Sequence, residues 1–275
     1  MQRPLVAIVK GERSTETVRK AIRLIGGLYE FSDRPVLLKV NFITDKRWDT
    51  GATTDPIVVE AIIQELKPIN PRIYVVESDA TLTNADEAAK KTGIMDVCRT
   101  AKVPFINLRR ERERVSLQVE PHEVLSTITL SKIVLESRVV SLAKLKTHAE
   151  TKVTLGLKNM FGLLPDKLKF KYHLKDIEKV VVDIASVKRP DLTVIDGFVA
   201  MEGRGPVSGK PVRMDLIIAG KDVVATDATA ARIMGFDPHD VFHIRRVAEK
   251  GLGRIDDVEV VGESVEAVAR PFERG

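Results

Sequence analysis

Cysteine is almost absent from the 275 residues: Cys98 stands alone. A single thiol cannot close an internal disulfide, build a four-thiolate zinc site or hold an iron–sulfur cluster by itself. A reducing setting follows, and a cytoplasmic location is expected. No apolar run approaches the roughly 18 residues a membrane helix needs, and Met1–Pro4 does not read as a signal peptide, so no membrane partner is expected. Aromatic residues make up 5% of the chain, with three tyrosines and one tryptophan. That supplies few platforms for base stacking and argues against nucleic acid. Gly and Pro, at 17 and 13, are too few for a low-complexity chain. The length suits one large domain or two small ones.

What is present is a concentration of positive charge. The net charge is +5. Between Lys144 and Lys175 there are eight lysines and no arginine, against only Glu150 and Asp166, so this stretch carries the whole excess. Such clustering points to an anionic partner, either a small carboxylate or phosphate compound or a nucleic acid. The lack of arginine, the usual base reader, favours the small molecule.

Apolar β-branched runs alternate with segments of helical period. Leu5–Val9, Val36–Val40 and Ile73–Val76 read as strands. Ser14 caps a helix to Leu28, Asp55 with Pro56 caps one to Leu66, and Asn84–Arg99 is helical with a break near Gly93. Phe105–Leu108 is a further strand, and Val115–Leu145 alternates as an antiparallel excursion would. Helices are expected over Lys152–Leu163, Leu174–Val187, Val224–Met234 and from Asp237 to Gly251. Strands are expected at Leu192–Ile195, Leu216–Ala219 and Val258–Val261. The pattern predicts an α/β fold with a mostly parallel, doubly wound sheet, in one domain over 1–275 that a cleft could divide into two lobes.

Four groups of residues could carry chemistry. Lys39 and Asn41 share one side of a strand at its carboxyl end, where ligands sit in open α/β sheets. A lysine there must reach an anion or leave the core. Thr53 precedes the helix start at Asp55, a place for an anion cradle or for simple capping. The densest group is Lys144, Lys146 and His148, followed by Lys158 and Asn159. A helix starting near Thr147–Thr151 would add its dipole to their charge. Third comes the glycine-rich loop Asp196–Pro211. Its spacing excludes a Walker loop, yet Gly203 and Gly205 could present backbone N–H groups to a ligand. Last, Asp196 and Asp227 could share a divalent cation, two separated aspartates being a weak metal signal. His239 and His243 have zinc-pair spacing but no third ligand, and Asp237–Pro238 already accounts for them as a helix start.

Lys39-Val-Asn41, Lys144-Leu-Lys-Thr-His148, Leu157-Lys-Asn-Met-Phe-Gly162 and Met201-Glu-Gly-Arg-Gly-Pro206 together resemble the uncharacterised family called domain of unknown function 362. Asp222–Asp227 and Met234–Pro238 continue the likeness. The resemblance implies a site at Lys39, Asn41, Lys144, Lys146, His148, Lys158 and Asn159, with the reaction open. Many relatives carry a ferredoxin-like cysteine module, which this chain lacks.

The expected function is an enzyme in which Lys39, Lys146 and Lys158 neutralise a small anionic substrate. Lys144, Thr53, Gly203 and Gly205 would add contacts, Asn41 and Asn159 would orient the substrate, and His148 would carry the proton. The alternative is a protein that binds an anionic cofactor, or works with a separate ferredoxin, without chemistry of its own.

Overall fold

Short polar side chains set the helix starts as the sequence predicts. Ser14 accepts from Thr17 N at 3.2 Å, Asp55 from Ile57 N at 3.0 Å and Asn84 from Glu87 N at 3.0 Å, each satisfying a donor that the first helical turn leaves free. The helices they open span Thr15–Leu24, Pro56–Leu66 and Ala85–Lys91. Asp55 also takes both arms of Arg13, at 2.6 and 2.8 Å, and that guanidinium stacks on Trp48 at 4.0 Å.

The computed structural model describes residues 3–166 and 168–275. Lys167, one of the eight lysines of the basic stretch, lies outside the described residues. In chain order the strands are β1 (Leu5–Lys10), β2 (Val36–Lys39), β3 (Ile73–Glu77), β4 (Phe105–Asn107), β5 (Arg114–Gln118), β6 (Thr127–Ser131), β7 (Arg138–His148), β8 (Lys152–Thr154), β9 (Leu192–Glu202), β10 (Lys210–Gly220) and β11 (Glu259–Gly262). The main sheet runs β11-β1-β10-β9-β7-β2-β3-β4, with β8 folded antiparallel onto β7. Of the eight strands on this path only β10 runs against the rest. β5 and β6 form a separate antiparallel pair.

Both faces are covered, as near-continuous apolar strands require. Helices Thr15–Leu24, Pro56–Leu66 and Ile94–Ala101 pack on one face against Ala7, Val9, Leu38, Leu142 and Val194. On the other lie helices Val223–Ile233 and Phe242–Glu249 over Val6, Ile8 and Ile195, and helix Ile177–Val187 over Leu37 and Val139. Among the described residues no helix is long and apolar enough to cross a membrane.

Three expectations need correction. The antiparallel excursion is confined to β5 and β6; residues 138–148 instead form β7, a central parallel strand buried at ten of its eleven positions. The lysines at 144 and 146 disguised it as a partly exposed segment. Second, the helix expected over Lys152–Leu163 is β8 followed by the single turns Gly156–Asn159 and Met160–Leu163. The apolar residues Val153, Leu155 and Leu157 alternate, a period of two that matches a strand as well as it matches a helix stripe. Third, β9 continues to Glu202 and β10 starts at Lys210, so most of the expected glycine-rich loop is hairpin.

The turn at Gly156 is held by Asp227, which accepts from Gly156 N at 2.7 Å and Leu157 N at 2.8 Å. Burial pushes this carboxyl up to about 7 against the pull of those two donors. A carboxyl raised on folding stabilises fully below its unfolded value near 4, and that contribution is lost as pH rises through about 7. The stability of the wild type, followed by urea unfolding, is therefore expected to fall across that window, and Asp227→Asn to flatten the fall. An unchanged slope in the variant would show that Asp227 is ionised throughout.

Candidate functional site

The carboxyl ends of β2, β3 and β7 open into a cleft of about 300 Å3. The backbone alternation that places Lys39 and Asn41 on one side of β2 brings both to a single acceptor, Asn159 Oδ1, at 3.3 and 2.9 Å. Asn159 in turn donates to Lys39 O and Ser141 Oγ. Its amide is fully occupied by protein, so it ties β2 to β7 and is not free to orient a substrate. Asn41 Oδ1, by contrast, is buried without a partner, and so is Thr154 Oγ1, which also lines the cleft.

Among the described residues four lysines border the cleft. Lys39 donates to Glu77 Oε2 at 2.8 Å and Val40 O at 2.6 Å, and burial still lowers its pKa despite the carboxylate. Gly162 packs on this pair so closely that any side chain there would collide with Glu77 and with Lys39 Nζ. Lys146, fully covered on β7, donates to Ala52 O at 2.6 Å. Burial, then the charges of Lys144 and Lys158, hold its pKa well below the ordinary lysine value. Lys158 sits 4.5 Å over the Phe161 ring; burial and then Lys169 bring its pKa down to about 7. Lys169 donates to Ser78 Oγ at 2.5 Å and is lowered to about 8, chiefly by burial. Among the described residues no carboxylate lies within ion-pair distance of Lys146, Lys158 or Lys169.

His148 lines the same cleft. Its Nδ1 accepts from Glu150 N at 3.1 Å and Thr151 N at 3.3 Å, which leaves the ring proton on Nε2. Burial, then Lys158 and Lys146, drives its pKa far below the usual imidazole range. The ring is thus a neutral donor, and the ordinary pKa that suggested a proton carrier does not apply.

Lys39, Asn41, Lys146, His148, Lys158 and Asn159 therefore meet, as expected. Lys144 does not. It is not part of the cleft lining; its side chain pairs with Asp196 at 2.7 Å, both fully buried. Thr53 is buried away from the cleft and donates to Lys46 O at 2.8 Å. Gly203 and Gly205 are absent from the lining. Gly205 lies against Thr147 O, where a side chain would not fit, and the neighbouring Pro206 and Val207 reach the cleft instead. Asp196 and Asp227 are on opposite faces of the sheet: the first also accepts from Asp55 N and Phe198 N, the second from the turn at Gly156. Neither has oxygens turned toward a common ion, and among the described residues no three His, Cys, Asp or Glu gather as a metal site.

Sequence reasoning missed Glu77, Lys169 and Phe161. Glu77 ends β3 as Lys39 ends the adjacent β2, a signal available once the two strands are paired. Lys169 is one of eight lysines in the basic stretch, and nothing in the sequence distinguishes Phe161 from the apolar residues around it.

The Lys144–Asp196 pair is a test of placement. Lys144→Met or Asp196→Leu alone leaves one buried charge and is expected to cost about 3–5 kcal/mol, while the double variant recovers much of that loss. Urea unfolding measures all three; additive losses would place these groups in contact with water instead.

The sequence matches the family described as a domain of unknown function (DUF362) over residues 36–232, which includes every cleft residue named above. It is also similar to a thylakoid-associated protein of Synechocystis, 32% identical over 232 residues that cover 81% of this chain and 70% of that relative. No solved structure matches. With a match over most of its length, the chain belongs to the DUF362 family.

Proposed function

We propose that the cleft binds a small carboxylate or phosphate compound and acts on it. The observation that supports this most is the set of three buried ammonium groups, Lys146, Lys158 and Lys169, facing one hollow without carboxylate partners. Burying an unpaired charge costs several kcal/mol, and an anion in the cleft would offset that cost directly. His148 Nε2–H would donate to the same anion. Asn41 Oδ1, buried and unsatisfied, would accept from a hydroxyl or amine of the ligand. Lys158, with its pKa near neutrality, replaces His148 as the group able to exchange a proton. A cytoplasmic setting belongs to the same proposal and is supported by the single thiol, Cys98, which burial pushes up to about 11 and so keeps unreactive.

Inorganic phosphate is the simplest probe. At about a hundred times its Kd it is expected to raise the melting temperature by roughly 5–10 °C over chloride at matched ionic strength. Lys146→Met and Lys158→Met should each weaken binding at least about tenfold. Equal stabilisation by chloride, or undiminished binding in both variants, would contradict the reading.

The empty cleft has a pH signature of its own. A lysine whose pKa falls on folding destabilises below the folded value and ceases to do so above the unfolded one. Stability without ligand should therefore rise as pH increases from about 7 towards about 10, and Lys158→Met should reduce that rise. Parallel curves for the two proteins would contradict the placement of Lys158.

A further inference from the structure

We propose that Lys158 is a nucleophile that condenses with the keto group of a small 2-oxo carboxylate, joining substrate to enzyme through a carbon–nitrogen double bond. The inference rests on the anion-binding reading of the same cleft and adds the substrate class and the bond formed.

The four cleft lysines differ in what their nitrogens touch. Lys39 Nζ is held by Glu77, Val40 O and Asn159, Lys146 Nζ by Ala52 O and Lys169 Nζ by Ser78 Oγ. Among the described residues Lys158 Nζ has no hydrogen-bond acceptor at all. It is nine-tenths buried and lies against the face of Phe161. A phenyl face stabilises an ammonium less than a carboxylate partner would at this depth, and it keeps water from one side. Burial and the neighbouring cations favour the free amine near neutral pH. A desolvated lysine beside other cations is the arrangement that makes an amine nucleophilic.

The surroundings suit a carbonyl next to a carboxylate. Lys146 and Lys169 remain to neutralise the carboxylate. The Lys158 lone pair attacks the keto carbon, the C–N bond forms, and the carbonyl π pair moves to oxygen. His148 Nε2–H, fixed in that tautomer by the donors on its Nδ1, can stabilise the oxygen as charge develops there. A proton passes from nitrogen to that oxygen to give the carbinolamine, whose hydroxyl has an acceptor available in Asn41 Oδ1. Loss of water then leaves the imine, so atoms and charge balance without a further reactant.

The experiment is reductive trapping of the full chain with pyruvate and cyanoborohydride near neutral pH, read by intact mass and peptide mapping. The expected result is one reduced pyruvyl group per chain on Lys158, formed about a hundredfold faster than on exposed lysines. Lys158→Arg, checked for folding by circular dichroism, should lose it. Labelling spread over exposed lysines such as Lys46 and Lys175, or no labelling of the wild type, overturns the proposal, and neither outcome depends on a variant. If the untrapped wild type is still stabilised by phosphate, only the condensation falls; if phosphate also fails, the anion reading falls with it.

Discussion

Ammonium groups lose hydration worth many kcal/mol when they are buried, and a fold tolerates them only where something else supplies the missing interactions. At the mouth of this sheet four lysines are buried around one carboxylate, Glu77, and Glu77 is already bonded to Lys39. The remaining three depend on backbone carbonyls, a hydroxyl and an aromatic face. Burial first, and then the charges of neighbouring lysines, lowers the proton affinity of Lys146, Lys158 and His148, which explains why His148 is neutral and why Lys158 lies near its titration point. The proposed anion is the group that would complete this arrangement electrostatically.

β7 is the element on which this arrangement turns. Lys144 and Lys146 are two residues apart on the strand, yet they serve different ends: Lys144 meets Asp196 beneath the start of helix Pro56–Leu66, whereas Lys146 borders the cleft. The ladder of β7 with β9 shifts register between them. One lysine is neutralised inside the fold, where it links β7 to β9, and the next borders the cleft without a carboxylate partner. The Asn159 amide performs a comparable structural service between β2 and β7, and it leaves Asn41 with the unsatisfied oxygen.

The features that could be read from the chain were those decided locally. Caps at Ser14, Asp55 and Asn84 depend on a few neighbouring residues, and so does the alternation that pairs Lys39 with Asn41. The concentration of lysines over 144–175 is likewise visible in composition. What could not be read depends on partners distant in sequence. Asp196 lies 52 positions from Lys144 and converts an apparent site lysine into a structural one. Glu77 lies 38 positions from Lys39 and partly neutralises it. A lysine-bearing strand that is wholly buried also defeats pattern reading, because polarity at alternate positions ordinarily marks an exposed face. The same ambiguity turned β8 and its following turns into an expected helix.

The claim on which the account stands is that Lys158 is a buried, uncompensated amine awaiting an anion. Carbon-13 NMR of the lysine ε-carbons through a pH titration measures this directly. The account predicts that the ε-carbon assigned to Lys158 by substitution titrates near neutrality without ligand and moves upward when phosphate is added. A Lys158 signal that titrates with the exposed lysines, and does not respond to phosphate, would contradict it.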